Sequence, residues 1–226
     1  MRLAGAARVV TAGAAAQMLT DMLPVAGRWV LVWGAAGPVG RQLTALLVEA
    51  GAVVVGVARG AERVSAVRGL GAQHVVDRTV DTDVVAATTE LCSGRGVDIV
   101  FDPVGAGVYR GNLEVLARHG CLVSYGELSG SLPAVDLTDL MAKSIFVTKF
   151  GGGGPDFGLD DLRTYTTATL DRVARDPTLV AAGPVFPLAE VAAAYDRLAG
   201  AGDGKILVSA YDGPDGEFEG AVIDRA

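Results

Sequence analysis

The chain has 226 residues, of which 50% are hydrophobic and 20% are charged, so it can bury the core of one large domain and is not intrinsically disordered. A net charge of −7 argues against a nucleic-acid or anionic-membrane surface, since both need clustered lysine and arginine. Two cysteines and two histidines are too few for a cysteine-rich zinc site or a disulfide scaffold. We therefore expect neither a metal centre nor a nucleic-acid partner.

An alanine-rich stretch at 3–23 predicts an N-terminal helix, which Pro24 and Gly27 end. Beyond it, short apolar runs predict strands at 29–33, 53–57, 74–76, 97–102, 121–125 and 145–148. Intervening segments predict helices at 43–50, 61–70, 83–92 and 109–116. This alternation predicts an α/β fold, a doubly wound parallel sheet of six or more strands with helices on both faces.

The remaining third of the chain is less regular. Four glycines at 151–154 predict a mobile loop. Two more helices are predicted at 160–174 and 188–199, and a last strand at 205–208. An acidic, glycine-rich tail at 211–226 is predicted to be a frayed end or a segment that a partner orders.

No apolar stretch reaches the roughly 20 residues that cross a bilayer, because charged residues, glycine or proline interrupt each one. The first eight residues hold too few apolar side chains for a secretory signal. We expect a cytoplasmic protein without membrane contact.

The turn after the first strand has the spacing Ala35-x-Gly37-x-x-Gly40, a dinucleotide-binding fingerprint with alanine at its first position. Gly37 lets the backbone approach a pyrophosphate, and Gly40 lets the helix pack closely on the strand. The helix N-terminus contributes free N–H groups and a positive dipole. The motif predicts dinucleotide binding over a purely structural turn, although Pro38 removes one N–H donor.

An arginine follows the second strand, at the position where NAD sites carry an acidic residue. Arg59 lies directly after this strand, and Arg63 lies one helical turn later. Arg78 follows the third strand, which we expect beside the second. Three guanidinium groups there suit the 2′-phosphate of NADP(H), so we predict NADP over NAD. The alternative is that these are ordinary surface arginines.

Longer segments carry a family resemblance. From about residue 14 to 210 the chain resembles the cofactor-binding and C-terminal part of the zinc-free quinone oxidoreductase branch of the medium-chain dehydrogenase/reductase superfamily. The similar stretches are 34–40, 70–77, 94–105, 122–126, 186–191 and 204–208. The resemblance implies an NADPH-dependent enzyme that transfers hydride to quinones or enones, close to the enoyl reductases of polyketide synthases.

The same resemblance implies a set of site residues. It places Ala36, Gly37, Pro38, Val39 and Gly40 at the pyrophosphate and Arg59, Arg63 and Arg78 at the 2′-phosphate. It places Val104, Gly105, Tyr125, Gly126, Lys149 and Phe150 along the adenosine ribose and the nicotinamide, with Lys205 as a weaker candidate. Tyr125 and Lys149 are the candidate catalytic residues, since the proton would come from one of them or from solvent. The ordinary alternatives are that Tyr125 is a core residue and that Lys149 is a solvated surface residue.

The resemblance implies a substrate domain of about a hundred residues ahead of the cofactor domain, and since the sequence begins about where that domain would end, we expect the chain to lack it. We divide the chain into a helix (1–23), a Rossmann-like NADP-binding domain (24–180), a helix and strand left from the substrate domain (181–210), and the tail. One wall of the substrate cleft is then absent. We expect self-association, or a separate subunit, to cover it.

The residues by themselves leave three functions open. The first is a zinc-independent NADPH-dependent reductase of quinones or enones. The second is a non-redox enzyme of cyclase or lyase type acting on a polyketide-like substrate, since fold does not determine chemistry. The third is an NADPH-binding protein without turnover.

Other reactive residues give weaker signals. Cys92 and Cys121 are expected to be buried thiols, and His74 and His119 have no neighbouring nucleophile. Asp102 ends the fourth strand, where it is either an acid or base or, more ordinarily, a hydrogen-bonding residue of a turn.

Overall fold

A computed structural model describes residues 3–152, 158–180, 182–199 and 204–209, with side chains for 11–152, 158–180, 183–198 and 204–209. Its centre is a parallel six-stranded sheet in the order β3-β2-β1-β4-β5-β6. The strands are β1 (Trp29–Val32), β2 (Val53–Ala58), β3 (His74–Asp77), β4 (Val97–Asp102), β5 (Leu116–Ser124) and β6 (Phe146–Lys149). This confirms the predicted doubly wound α/β fold, with β3 beside β2 as expected.

Both faces of the central strands β1, β2 and β4 are buried, which explains why these strands are apolar at most positions. Val30 and Val32 of β1 face a core built with Leu43 and Leu47 of the following helix. Leu31 and Trp33, one residue out of phase, face a second core that contains Leu113 and Leu122. Since side chains of a strand alternate between faces, a single strand supplies both cores.

Helices cover these faces and extend past the sheet. They are α1 (Leu3–Asp21), α2 (Pro38–Glu49), α3 (Ala61–Gly69), α4 (Val84–Leu91), α5 (Tyr109–Val115), α6 (Leu137–Met141), α7 (Leu159–Arg175) and α8 (Val191–Ala199). Two 3₁₀ turns lie at Pro177–Leu179 and Leu188–Glu190. No helix of the described part of the chain is both long and apolar enough to cross a membrane.

Three details differ from the sequence prediction. Strand β5 begins at Leu116 rather than at Cys121, because an irregularity in its pairing with β4 lets the chain join the sheet directly from α5. Its His119 has a positive φ of 61° there. The short helix α6 and a strand β7 (Ala182–Pro187) were not predicted. Neither has an apolar pattern long enough to separate it from a loop.

Strand β7 pairs in parallel with β8 (Lys205–Ser209), and α8 connects them. This small two-stranded sheet is separate from the main sheet. Lys205 fastens it to α1 by donating a hydrogen bond from Nζ to Oγ1 of Thr11, at 2.7 Å. Part of the glycine run, 153–154, and the tail at 211–226 lie outside the described residues.

Candidate cofactor site

The glycine-rich turn brings the N-terminus of α2 against the end of β1. Gly34 adopts a positive φ of 63°, and the Gly37 amide donates to its carbonyl at 2.8 Å. A Cβ on Gly40 would lie only 2.1 Å from this same carbonyl oxygen, so no larger residue fits without moving the helix. The free N–H groups of the first turn of α2 therefore stand directly at the carboxyl edge of the sheet. This cradle suits a pyrophosphate.

The second strand ends beside the third, and this pairing brings two of the three predicted arginines together. The backbone N–H of Arg78 donates to the carbonyl of Ala58 at 3.0 Å, which places Arg78 next to Arg59. Both side chains are exposed, whereas Arg63, on α3, is partly buried. The cluster is cationic and lies on the β2 side of the glycine turn.

Asp77 is a residue of this cluster that the sequence analysis missed. Its Oδ1 accepts hydrogen bonds from the Gly60 amide at 2.9 Å and from the Thr79 amide and hydroxyl at 2.9 and 2.7 Å. The Gly60 amide and the two Thr79 donors hold the pKa of this carboxyl below its ordinary value. Asp77 thus fixes the loop that carries Arg59. An aspartate at the end of a strand was the available signal.

A small cavity of about 310 Å³ opens next to Arg78, between α4 and α5. Trp33 forms part of its wall, and the Arg78 guanidinium lies over the indole ring, 5.4 Å from the ring centroid. The indole N–H donates to Oδ1 of Asn112 at 2.8 Å. The cavity therefore has an aromatic wall and a cation at its mouth.

Asp102 lies under the turn that follows β4 and is completely buried. It accepts hydrogen bonds from the Val104 amide at 2.6 Å, the Gly105 amide at 3.2 Å and Nδ2 of Asn112 at 2.9 Å. Burial raises its pKa, and these three donors oppose the rise. With both oxygens engaged, Asp102 is suited to holding the Val104–Gly105 turn rather than to proton transfer.

The candidate catalytic residues follow β5 and β6. Tyr125 donates its backbone N–H to the Asp102 carbonyl at 2.8 Å, and its partly buried ring packs, like that of Phe150, against the core beneath α2. Burial, and then the nearby charge of Asp102, raise the pKa of its phenol.

Lys149 pairs with the carboxylate of Glu127, whose pKa this contact lowers. Gly126 packs so closely on Pro103 that a Cβ would lie 2.6 Å from its carbonyl oxygen.

The structure thus arranges the predicted residues along one edge of the sheet. The arginines lie on the β2–β3 side, the glycine turn at β1, and Val104, Gly105, Tyr125, Gly126, Lys149 and Phe150 on the β4–β6 side. Carboxyl ends of parallel strands form the binding edge of open α/β sheets. An extended dinucleotide fits this order.

A larger groove of about 910 Å³ adjoins the cradle. Pro38 and Val39 of the glycine turn form one end of it, and α1, α8 and β8 form the rest. Exposed apolar side chains border it, including Leu188, Tyr195 and Leu198 of the C-terminal unit. The groove is therefore apolar, open and continuous with the candidate cofactor site.

Among the described residues, no three histidine, cysteine, aspartate or glutamate side chains come close enough to hold a metal ion. Cys92 and Cys121 are separate, free and buried, and burial raises the pKa of both thiols. The side chains of the described residues therefore do not fit a zinc ion.

Comparisons with known proteins agree with this geometry. A family model described as zinc-binding dehydrogenase matches residues 38–168. The chain is 27% identical over 176 residues to 2-haloacrylate reductase of a Burkholderia species, and 28% identical over 174 residues to quinone oxidoreductase of Pseudomonas aeruginosa. These matches cover 77% and 76% of this chain and 53% of each relative, so the chain spans about half the length of the curated relatives it matches.

Solved structures show the same fold. A mycobacterial protein complexed with NADPH superposes with a TM-score of 0.81 at 28% identity, over 92% of this chain and 65% of that one. The family match covers the glycine turn from Pro38, the arginine cluster and the strands on the β4–β6 side. The chain belongs to the zinc-binding dehydrogenase family, within which it resembles the quinone oxidoreductases.

Proposed function

We propose that this chain is the cofactor-binding part of an NADPH-dependent oxidoreductase that reduces a quinone or an enone. The main observation in support is the geometry of the glycine turn. Gly40 leaves no room for a Cβ, and the N-terminus of α2 lies at the edge of the sheet. The quinone oxidoreductase and 2-haloacrylate reductase relatives, and the related structure that holds NADPH, support the proposal.

The cofactor would lie across the strand ends. The backbone of Ala36, Gly37 and Val39 would face the pyrophosphate. Because the Gly37 amide is bonded to the Gly34 carbonyl and Pro38 has no N–H, the Ala36 and Val39 amides would donate the hydrogen bonds. Arg59, Arg63 and Arg78 would bind the 2′-phosphate through charge-assisted hydrogen bonds. Val104, Gly105, Tyr125, Gly126, Lys149 and Phe150 would line the ribose and nicotinamide half.

Bound NADPH supplies the hydride, so the protein has to orient the acceptor and deliver one proton. Of the two predicted donors, Lys149 is better suited, because its ammonium group is exposed and can exchange with solvent. Burial raises the pKa of Tyr125, so its phenol keeps its proton and helps to hold the site instead. Glu127 positions the Lys149 ammonium through their ion pair.

The acceptor would enter the apolar groove beside Pro38 and Val39. The volume of the groove, about 910 Å³, is in the range of small-molecule sites, and the described residues of the C-terminal unit leave apolar side chains exposed along it. We propose that a second copy, or a separate subunit, completes it. The edge strand β6, which does not line the groove, is a further apolar surface for self-association, since Phe146 on it is 63% exposed. Two free buried cysteines are consistent with a cytoplasmic location.

Calorimetry with NADPH and NADH tests the cofactor assignment. We expect the protein to prefer NADPH, and the double substitution Arg59→Ala with Arg63→Ala to weaken NADPH binding more than about tenfold while changing NADH little. Arg118→Ala, on the exposed bulge of β5, is the matched control. Equal losses for both coenzymes would contradict the 2′-phosphate assignment.

Turnover is tested separately, by the loss of NADPH absorbance at about 340 nm when a quinone or an enone is added as the acceptor. Oxidation of NADPH is expected with at least one of these acceptors. Tight NADPH binding without oxidation by either class would contradict the reductase proposal and favour a binding protein or a non-redox enzyme.

A further inference from the structure

We infer that Trp33 is a positioning residue for cofactor choice: its indole face holds the Arg78 guanidinium where the 2′-phosphate of NADPH arrives. The inference rests on the proposed function, and it deepens it by naming a residue that selects NADPH without binding the phosphate itself. Three features of the structure carry it.

The first feature is that Trp33 has one orientation. It lies between β1 and the glycine turn with only 5% of its surface exposed. Its indole N–H is bound by Asn112, whose own amide is bound by the buried Asp102. A ring whose single polar atom is paired in this way cannot rotate without leaving buried groups unsatisfied.

The second feature is the contact with Arg78. The backbone of Arg78 is held by Ala58, but its side chain is exposed, and a long arginine side chain loses rotamer entropy when it is immobilised. The Trp33 ring, 5.4 Å away, restricts it by a cation–π contact. A cation–π contact is electrostatic and uses none of the five guanidinium N–H donors as hydrogen bonds, so these stay able to bind phosphate oxygens.

The third feature is that nearby carboxylates are already engaged. Asp77, which precedes Arg78, accepts from the Gly60 and Thr79 amides. Asp83, which lines the same cavity as Arg78, caps α4 by accepting from the Ala86 amide at 3.0 Å. Backbone donors orient each carboxylate through its Oδ1, and among the described residues neither carboxylate forms an ion pair with Arg78. The indole ring is therefore the group that contacts the cation.

Calorimetry with 2′,5′-ADP and 5′-ADP measures the 2′-phosphate contribution directly. Trp33→Leu removes the aromatic face, and we expect the preference for 2′,5′-ADP to fall about two- to fivefold while 5′-ADP binding is kept. Trp33→Phe retains an aromatic face and should retain most of the preference. Melting temperatures of both variants verify that they fold.

The role through Arg78 is tested in an Arg78→Ala background, where Trp33→Leu should change the preference no further. Three results would each overturn the inference. The preference for 2′,5′-ADP is unchanged in Trp33→Leu, it falls equally in Trp33→Phe, or Trp33→Leu lowers it as much in the Arg78→Ala background as in wild type. A wild-type protein that binds both nucleotides equally would instead overturn the proposed NADPH function, and this inference with it.

Discussion

At the scale of single residues, Gly40 is the position with the least tolerance. Gly40→Ala places a methyl group 2.1 Å from the Gly34 carbonyl oxygen and 2.8 Å from the Ala35 Cα, so α2 must move away from β1. We expect a loss of about 1–3 kcal/mol of stability and a larger loss of NADPH affinity, measured by urea unfolding and calorimetry.

Gly69→Ala is the matched control for this change, because it also lies in a helix and its Cβ would meet nothing within 4 Å. It should be neutral or stabilising by up to about 1 kcal/mol. Equal behaviour of the two variants would show that the close approach at Gly40 has no consequence.

Asp77 gives a prediction about pH. Its pKa is lowered in the folded state, so its contribution to stability is present above the unfolded aspartate pKa and is lost as pH falls through the folded value. Asp77→Asn keeps an oxygen for the Gly60 and Thr79 donors but carries no charge. The stability advantage of wild type over this variant should therefore shrink as pH falls from about 6 to about 2.5, measured by urea unfolding. An advantage that grows with acid would refute the assignment.

At the scale of elements, the packing of α1 on α7 depends on a missing side chain. A Cβ on Gly13 would lie 2.1 Å from Cγ2 and 2.5 Å from Oγ1 of the buried Thr169. Gln17 joins the same helices, donating from Nε2 to Oγ1 of Thr169 at 2.7 Å. We expect Gly13→Ala to cost about 1–3 kcal/mol by forcing the helices apart.

A double-mutant cycle isolates this contact. Thr169→Ala removes two of the three atoms that the new methyl group would meet, so Gly13→Ala should cost less in that background. Additive losses, measured by urea unfolding, would mean that Gly13 matters only for its own backbone and not for the helix contact.

At the scale of the whole molecule, self-association is expected at the open edge of the sheet. Phe146 on β6, with Leu137 and Met141 of α6, exposes apolar surface beside an unpaired strand edge. Sedimentation should show a dimer for wild type and a monomer for Phe146→Glu. Val80→Glu, at the opposite side of the sheet and 76% exposed, should leave the dimer intact. A monomeric wild type would contradict self-association and leave a separate subunit as the proposed cover of the groove.

Much of the fold could be predicted because its cause is local. Val30 and Leu31 are both apolar since each faces its own core, and a run of such residues followed by a glycine turn and a helix has few other structures available. Helix α6 and strand β7 escaped prediction because each is short and is held by its neighbours rather than by a pattern of its own.

The candidate site divides in the same way. Gly37, Gly40 and the arginines could be named because glycine turns and cations carry their chemistry in the residue type. Asp77, Asn112 and Trp33 could not, because their importance comes from partners distant in sequence, as in the bond from Trp33 to Asn112.

By itself, the sequence determined the sheet, the glycine turn and the family, since strand hydrophobicity and glycine spacing are properties of neighbouring residues. Only the tertiary structure decided what surrounds them: which donors hold Asp77 and Asp102, which ring lies under Arg78, and how the apolar groove meets the turn at Pro38. The physical reason is that these contacts join separate strands and helices, and their distances exist only once the sheet has formed.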